Sequence, residues 1–392
     1  MPPPLPVCFY QSSPQHLYGG QLDLLRFLAA CDRSLIRPHV LVPAEGPFTH
    51  RLRELEIPVA LLPLPAELAR TGGVLLEGSP LDRARQMALL LPFSLRLAAH
   101  LRRSGTAVLY ANNRRAVLTT GLGARLAGAP VFWHIKQDVD RGRMDRLALR
   151  LVAGAGACSL DVQQAFQRRH PAHAARIGHV AYGIPLAPFL APGPDLRPQL
   201  GIPAGATVVG QVGSIGPRKG VDLFAQAALA LAERRPSAHF LLAGDAPAGA
   251  SAYKQQILAS VRPLIEQGRF HAPGWLADTP ALYRTLDLLA LPSRVEGFGL
   301  VVAEAGAAGV PAVRTAAGGH TETTLEGVTG FVVPIDDLSA LVQRLDGLLS
   351  DPDLRRRMGQ AARDHVVAHF SLDRFQSALT AALLQTARRQ RP

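Results

Sequence analysis

The chain has 392 residues, 48% of them apolar, with 42 Lys and Arg against 30 Asp and Glu for a net charge of +12, and three cysteines, Cys8, Cys31 and Cys158. Such a length and apolar content can bury two ordinary cores, so two domains are expected. The scattered cysteines fit neither a zinc spacing nor a disulfide framework, no apolar run is long enough to span a bilayer, and MPPPLPVCFY lacks the basic and apolar parts of a secretion signal, so a cytoplasmic protein is expected.

The charge is lopsided. Residues 1–186 carry 22 Lys and Arg against 12 Asp and Glu, whereas residues 187–392 carry 20 against 18. The excess suits an anionic partner of the first half, and an arginine-rich solvated surface explains it equally well.

In chain order, residues 6–10 form a β-branched and aromatic run that starts a parallel sheet. Gly19 and Gly20 then precede an amphipathic helix with Leu22, Leu25 and Leu28 on one side. Strands are expected at 40–42 and 59–62, followed by a long helical stretch at 80–103. Its apolar residues Leu81, Met87, Leu90, Leu91 and Leu95 are interleaved with Arg83, Arg85, Arg96, Arg102 and Arg103. That pattern fits a core stripe, or a face resting on an anionic bilayer. Further strands are expected at 108–110, 131–135, 157–159 and 180–182. His134 stands near the carboxyl end of its strand, the edge at which open α/β sheets place ligands; Lys136 and Asp138 follow it, and then Arg141, Arg143, Arg146 and Arg150. The Pro- and Gly-dense run YGIPLAPFLAPGPDLRP has no helical period and marks an interdomain linker at 186–197.

The second half opens with TVVGQVGSIGPRKGVDLF, which reads as a strand, a glycine-bearing turn with Gly213 and Ser214, and a helix start near Arg218 and Lys219. The chain has only three lysines, Lys136, Lys219 and Lys254, so a lysine kept at this turn suggests that a compact point charge is needed there. Strands at 239–243 and 270–272 follow, the first ending at Gly244 and the second ahead of Trp275. The stretch LLALPSRVEGFGLVVAEAGAAGVPAVRTAAGG then reads strand, glycine-bearing loop, helix, strand, with Gly297 and Gly299 in the loop. Backbone N–H groups at such a helix start suit a diphosphate. Glu296 before the loop and Glu304 within the helix would be repelled by phosphates but can accept hydrogen bonds from sugar hydroxyls, which points to a nucleotide sugar. A last strand at 331–333 and a helical tail with a break near Ser371 close the chain.

Glu296 and Glu304, in the context PSRVEGFGLVVAEA, resemble the signature of the family 4 GT-B glycosyltransferases, which are retaining and metal-independent. GDAP, PRKG, GGHTE and EGVTGFVVP resemble further blocks of that family in the same order, so the likeness covers most of the C-terminal half. It implies an α/β GT-B fold of two Rossmann-like domains with a cleft between them: residues 1–185 on the acceptor side, a linker at 186–197, a nucleotide-sugar domain at 198–370, and a final helix at 371–392 that crosses back to the first domain. It also implies roles. Glu304 would bind the ribose, Glu296 the sugar ring and Lys219 the donor phosphates, with His134 close to the transferred sugar. Gly19, Gly20, Gly213, Ser214, Gly244, Trp275, Gly297, Phe298, Gly299 and Leu300 would complete the donor site. The family often has Arg directly after the glycine at position 213; here Ser214 stands there, and Arg218 is the expected substitute cation.

The activity implied is transfer of a hexose from a UDP- or GDP-sugar to a hydroxyl of a glycan or lipid-linked acceptor in cell-surface polysaccharide or glycolipid biosynthesis, without metal or cofactor. An anionic membrane surface is a candidate second partner, which would make the protein peripheral on the inner membrane face. Two rival readings are a non-catalytic GT-B relative that binds nucleotide or glycan as a regulator, and a basic nucleic-acid-binding protein. The second lacks zinc spacing and stacking aromatics, and no nucleic-acid partner is expected.

Overall fold

The computed structural model describes residues 3–15, 17, 19–70, 79–247 and 249–389. It divides into two compact units, Met1–Tyr182 with Leu372–Pro392, and Gly183–Ser371.

The first unit is built on seven strands: β1 Leu5–Tyr10, β2 Ile36–Val42, β3 Val59–Leu61, β4 Val108–Ala111, β5 Val131–Ile135, β6 Gly154–Ala157 and β7 Ile177–His179. They pair in parallel in the order β3-β2-β1-β4-β5-β6-β7. Val7 to Tyr10 are all fully buried, as a strand covered on both faces by helices must be. Strand order reverses between β1 and β4, which opens a crevice at their carboxyl ends.

Two expected strands shift. The segment at 157–159 is strand only to Ala157, because Ser159 caps the next helix by accepting from the Val162 N–H at 3.3 Å. Glycines in GAGA conceal the strand in the sequence, yet the packing requires them: a Cβ on Gly156 would lie 2.6 Å from Val180 Cγ2. The run at 180–182 is not strand; β7 lies just before it, and Val180 and Tyr182 are buried in the core.

An aromatic cluster closes this core. Phe9 contacts Phe27 and Tyr110, while Phe375 lies 5.9 Å from Phe27, 5.6 Å from Tyr182 and 6.1 Å from His134, between ring centres. Phe375 belongs to the last helix, Leu372–Arg388, which also buries Leu379 and Leu383 in the first unit. The segment expected to run to 392 is described to residue 389. His134 is a member of this cluster, with no exposed surface and a 2.8 Å hydrogen bond between its Nδ1 and the Tyr110 hydroxyl. Burial, assisted by the nearby Lys136 charge, pulls its pKa down to about 3, so it is neutral at physiological pH.

The helix Pro80–Arg103 starts with a capping box. Ser79 Oγ accepts from the Asp82 N–H and the Asp82 carboxylate accepts from the Ser79 N–H, with Pro80 preset for the first turn. Leu90, Phe93, Leu97 and Leu101 pack inward. Leu81, Met87, Leu91 and Leu95 are 79%, 48%, 51% and 57% exposed, so the core-stripe reading holds for Leu90 and fails for these four.

The second unit has six parallel strands, β8 Thr207–Val212, β9 Ala238–Ala243, β10 Phe270–Gly274, β11 Leu288–Leu291, β12 Ala312–Thr315 and β13 Gly330–Val333, in the order β10-β9-β8-β11-β12-β13. Here the order reverses between β8 and β11. The segment 186–197, expected as a linker, is built into this unit. Phe189 is buried against Tyr283, and Arg284 reaches the carbonyl of Pro194.

The backbones leaving β8 and β9 nearly touch. A Cβ on Gly244 would sit 1.9 Å from the Gly213 carbonyl oxygen, at a φ of 136° that side chains rarely adopt. Gly244→Ala is therefore expected to cost about 2–4 kcal/mol of stability, against no more than about 0.5 kcal/mol for Gly205→Ala, whose Cβ would meet nothing; melting temperatures of the two variants check this. His134 generates a second expectation. Its folded pKa lies below the unfolded value, so the unfolded chain takes the proton first and stability is lost as pH falls from 6.5 toward 3, by about 1.4 kcal/mol per pH unit while the two states differ by a full proton. His39, lowered by burial to about 4, adds to the fall over the upper part of that window. The melting temperature should drop between pH 6.5 and 4, and His134→Phe should make that drop shallower.

Candidate functional site

The loops that leave β8 and β11 meet at the reversal point of the second sheet. After β8 the chain passes Gly213 and a single turn of 3-10 helix, Pro217–Lys219, then enters the helix Val221–Arg234 through Gly220 at φ 62°. After β11 it runs from Pro292 to Gly299, at φ 87°, and into the helix Leu300–Ala307. Lys219 Nζ from the first loop donates to Glu296 Oε2 of the second in a short ion pair whose side chains are 13% and 11% exposed. Two neighbours hold the carboxylate further: the Gly297 N–H donates to Oε1 at 3.2 Å and Ser293 Oγ lies 3.4 Å from Oε2. Burial alone would raise the Glu296 pKa, but the charge and hydrogen bond of Lys219, with Arg218 and Arg314 behind them, bring it down to about 2. Glu296 is thus an ionised acceptor of hydrogen bonds at any physiological pH.

Arg218 sits at the same junction. Its guanidinium donates to the Val295 carbonyl at 2.9 Å, and its own carbonyl accepts from the Arg294 N–H at 2.9 Å, so it clamps the second loop to the first. Glu304, in the helix Leu300–Ala307, is 7% exposed and accepts a 2.9 Å hydrogen bond from the Tyr283 hydroxyl. Gly297, Phe298 and Gly299 are buried and Leu300 half-buried at the start of that helix. Gly213 and Gly244 are neighbours at the strand ends, and Ser214 is half-buried beside them. Trp275, after β10, is 58% exposed.

Three residues shape this junction without standing out in the sequence. Gly220 lets the two loops touch, since a Cβ there would lie 1.9 Å from the Pro292 carbonyl oxygen. Arg314, on β12, is 1% exposed and donates to the carbonyls of Ala317, Gly318 and Phe298 at 3.0, 2.8 and 3.4 Å, which ties the Gly318–Gly319 turn to the loop before Leu300. Arg294 pairs with Asp222 at 2.6 Å and Asp336 at 2.6 Å. An apolar strand pattern around Arg314 was the available signal: a lone arginine in VPAVRT needs buried acceptors.

In the first unit, Gly19 and Gly20 open the helix Gly19–Ala30, and Lys136 Nζ donates to the Gly20 carbonyl at 3.0 Å. Gly20 and Lys136 line a cavity of about 770 Å³ at the β1/β4 reversal, together with residues of the loops after β1, β4 and β5. His134 does not line it. Residues alternate along β5, so the neighbours Trp133 and Ile135 border the cavity while His134 is enclosed by Tyr110, Tyr182 and Phe375; its expected place beside a sugar is replaced by a place in the core. Asp138 is paired with Arg169. Arg143, Arg146 and Arg150 border a small surface pocket, apart from Arg141, which lines the large cavity.

Residues 194–365 match the model of the family described as glycosyl transferases group 1. The chain is 35% identical over 224 residues to D-inositol 3-phosphate glycosyltransferase of Salinispora arenicola, covering 54% of this chain and 50% of that protein. It is 33% identical over 204 residues to the lipopolysaccharide core biosynthesis mannosyltransferase LpcC of Rhizobium leguminosarum bv. viciae, covering 52% and 58%. It therefore spans about half the length of the curated relatives it matches. The crystal structure of Anabaena Alr3699/HepE in complex with UDP-glucose superposes with a TM-score of 0.80 at 24% identity, covering 97% of this chain and 99% of that one. Residues 194–365 thus carry the sequence of the group 1 glycosyl transferases, within a chain whose two Rossmann-like units have the GT-B fold.

Proposed function

We propose that the protein is a retaining, metal-independent glycosyltransferase of the family 4 type, which moves a hexose from a nucleotide sugar to a hydroxyl of a glycan or lipid-linked acceptor. The observation that carries this reading is the part-buried Lys219–Glu296 pair at the β8/β11 reversal, where a doubly wound sheet takes its ligand. The donor diphosphate lies against Lys219 and the N–H groups at the start of Leu300–Ala307, with Arg218 standing in for the cation absent at Ser214. These charges stabilise the departing nucleotide. Glu296, released from Lys219 by the phosphates, accepts hydrogen bonds from the sugar ring, and Glu304, oriented by Tyr283, holds the ribose. With a pKa of about 2, Glu296 holds no proton to donate, so it serves as a binding carboxylate and not as the raised-pKa acid of a glycosidase.

UDP is favoured as the carrier because the HepE structures are complexes with UDP-glucose and with UDP. The two curated relatives act, by name, on an inositol phosphate and in lipopolysaccharide core synthesis, which supports an acceptor that is phosphorylated or lipid-linked. Among the described residues no helix is long and apolar enough to cross a membrane. The exposed row Leu81, Met87, Leu91 and Leu95, flanked by Arg83, Arg85 and Arg96, supports docking of the protein on an anionic bilayer surface from the cytoplasmic side.

Glu296→Ala, Lys219→Ala and Glu304→Ala should each lower kcat/KM by at least about tenfold, or about 1.4 kcal/mol of transition-state stabilisation. The Glu304 loss should show as weaker nucleotide binding in calorimetry, and unchanged turnover in all three purified variants would refute the assignment. A thermal-shift screen of UDP-, GDP-, ADP- and dTDP-sugars should single out UDP. Co-sedimentation with anionic vesicles at low salt should fall when Leu91 and Leu95 are both changed to Ser.

A further inference from the structure

At the carboxyl edge of the second sheet one arginine gathers three loops. Arg294, two residues before Glu296 in the loop after β11, donates through every nitrogen of its guanidinium. Nε reaches Asp336 at 2.6 Å, Nη1 reaches Asp222 at 2.9 Å and the Pro217 carbonyl at 2.7 Å, and Nη2 reaches Asp222 at 2.6 Å. Its backbone N–H donates to the Arg218 carbonyl at 2.9 Å. Pro217 and Arg218 are the two residues ahead of Lys219 in the 3-10 turn, so Arg294 grips the turn that carries the lysine from the loop that carries the carboxylate. Asp222, near the start of the helix Val221–Arg234, is itself fixed by a 3.0 Å hydrogen bond from the Tyr253 hydroxyl. Burial opposes its charge, yet the bonds from Arg294 and Tyr253 hold its carboxyl below the usual range.

Asp336 meets Arg294 from a strained backbone. It is the third residue of the turn at 334–337 after β13, where the Asp337 N–H donates to the Pro334 carbonyl at 3.4 Å, and its φ is 62°. Among the described residues Glu56 alone shares a positive φ without being glycine. Glycine would take this position with no strain and would lack the carboxylate. Stability does not account for the aspartate, because the Arg294 and Asp336 side chains are 30% and 54% exposed, and an ion pair so open to water contributes little. Its effect is directional. A guanidinium that bonds one carboxylate through Nε and another through its terminal nitrogens has its plane fixed, and that plane sets whether Nη1 meets the Pro217 carbonyl.

We infer that Arg294 and Asp336 are positioning residues for the Lys219–Glu296 site: Asp336 aims Arg294, and Arg294 sets the turn bearing Lys219 against the loop bearing Glu296. That this site takes a nucleotide sugar rests on the function proposed above; the tie between the loops does not.

The test compares Asp336→Gly, which removes strain and carboxylate together, with Asp336→Asn, which keeps an acceptor on a side chain that tolerates positive φ. Neither should lower the melting temperature of the full chain by more than about 2 °C. In calorimetry with UDP, Asp336→Gly should weaken binding about threefold or more and Asp336→Asn by less than about twofold; in an Arg294→Gln background Asp336→Gly should change nothing further, since it acts through that guanidinium. Hydrogen exchange of the ligand-free protein at the Lys219, Gly220 and Arg294 amides, all bonded within or between these loops, should quicken about threefold in Asp336→Gly and not in Asp336→Asn. Unchanged UDP affinity in Asp336→Gly, an equal loss in Asp336→Asn, a further loss in the Arg294→Gln background, or a loss matched by a larger fall in melting temperature would overturn the inference while leaving the donor site in place. If the wild-type protein binds no UDP, the donor reading falls and exchange decides the tie alone: quicker exchange in the glycine variant only upholds it, and equal exchange in all three proteins sinks it.

Discussion

The ion pair between Lys219 and Glu296 joins residues 77 positions apart, and it can form only because β8 and β11 lie side by side while their connections run in opposite directions across the sheet. Everything near it serves that meeting of two loops. Gly220 removes a Cβ that would keep them apart, Arg218 ties them through the backbone on both sides of Val295, and Arg314 fixes the following turn by its carbonyls. Desolvating two opposite charges is costly, and removing one leaves the other stranded in the interior. Such a pair holds the two loops in place by itself, and its members keep the chemistry to meet a ligand, a cation for an anionic group and a carboxylate for hydroxyls.

The first unit uses the same topological rule with different chemistry. Its reversal point lies between β1 and β4, and the residues leaving those strands are two amides in place of an ion pair, with cations further out. One sheet plan thus carries two different sets of loop side chains, because the strands fix where the loops begin and leave their side chains to vary.

Much of this was legible in the sequence where a pattern is local. The helix Pro80–Arg103 is legible from its interleaved apolar and basic residues, and the apolar runs of β5 and β11 stand out between turn residues. Legibility failed where the reason for a residue lies across the fold. The strand expected at 157–159 meets β6 only at Ala157, because the glycines before it answer to Thr386 and Val180, and the segment 186–197 reads as a linker because Arg284, which holds it, is remote in sequence. His134 shows the limit most clearly. Its place near a strand end was readable, but strand alternation and the arrival of Phe375 from the far terminus turn it inward. Of the residues expected at the site, Lys219, Glu296 and Arg218 are found together, and the pairing of the first two was not foreseen, since each had been matched to a ligand group and not to the other.

The last helix has a consequence for how the molecule is made. Its Phe375, Leu379 and Leu383 belong to a core whose other members are finished by Tyr182, so the first unit is discontinuous in the chain while the second is a single stretch. During synthesis the ribosome will have released every strand of the first sheet long before the helix that seals it emerges. Meanwhile Phe27, His134 and Tyr182 lack a cover, and the later-made half can complete its core first. A nascent chain of this kind depends on the helix Leu372–Arg388 to protect a hydrophobic opening that has stood exposed while the whole second unit was made.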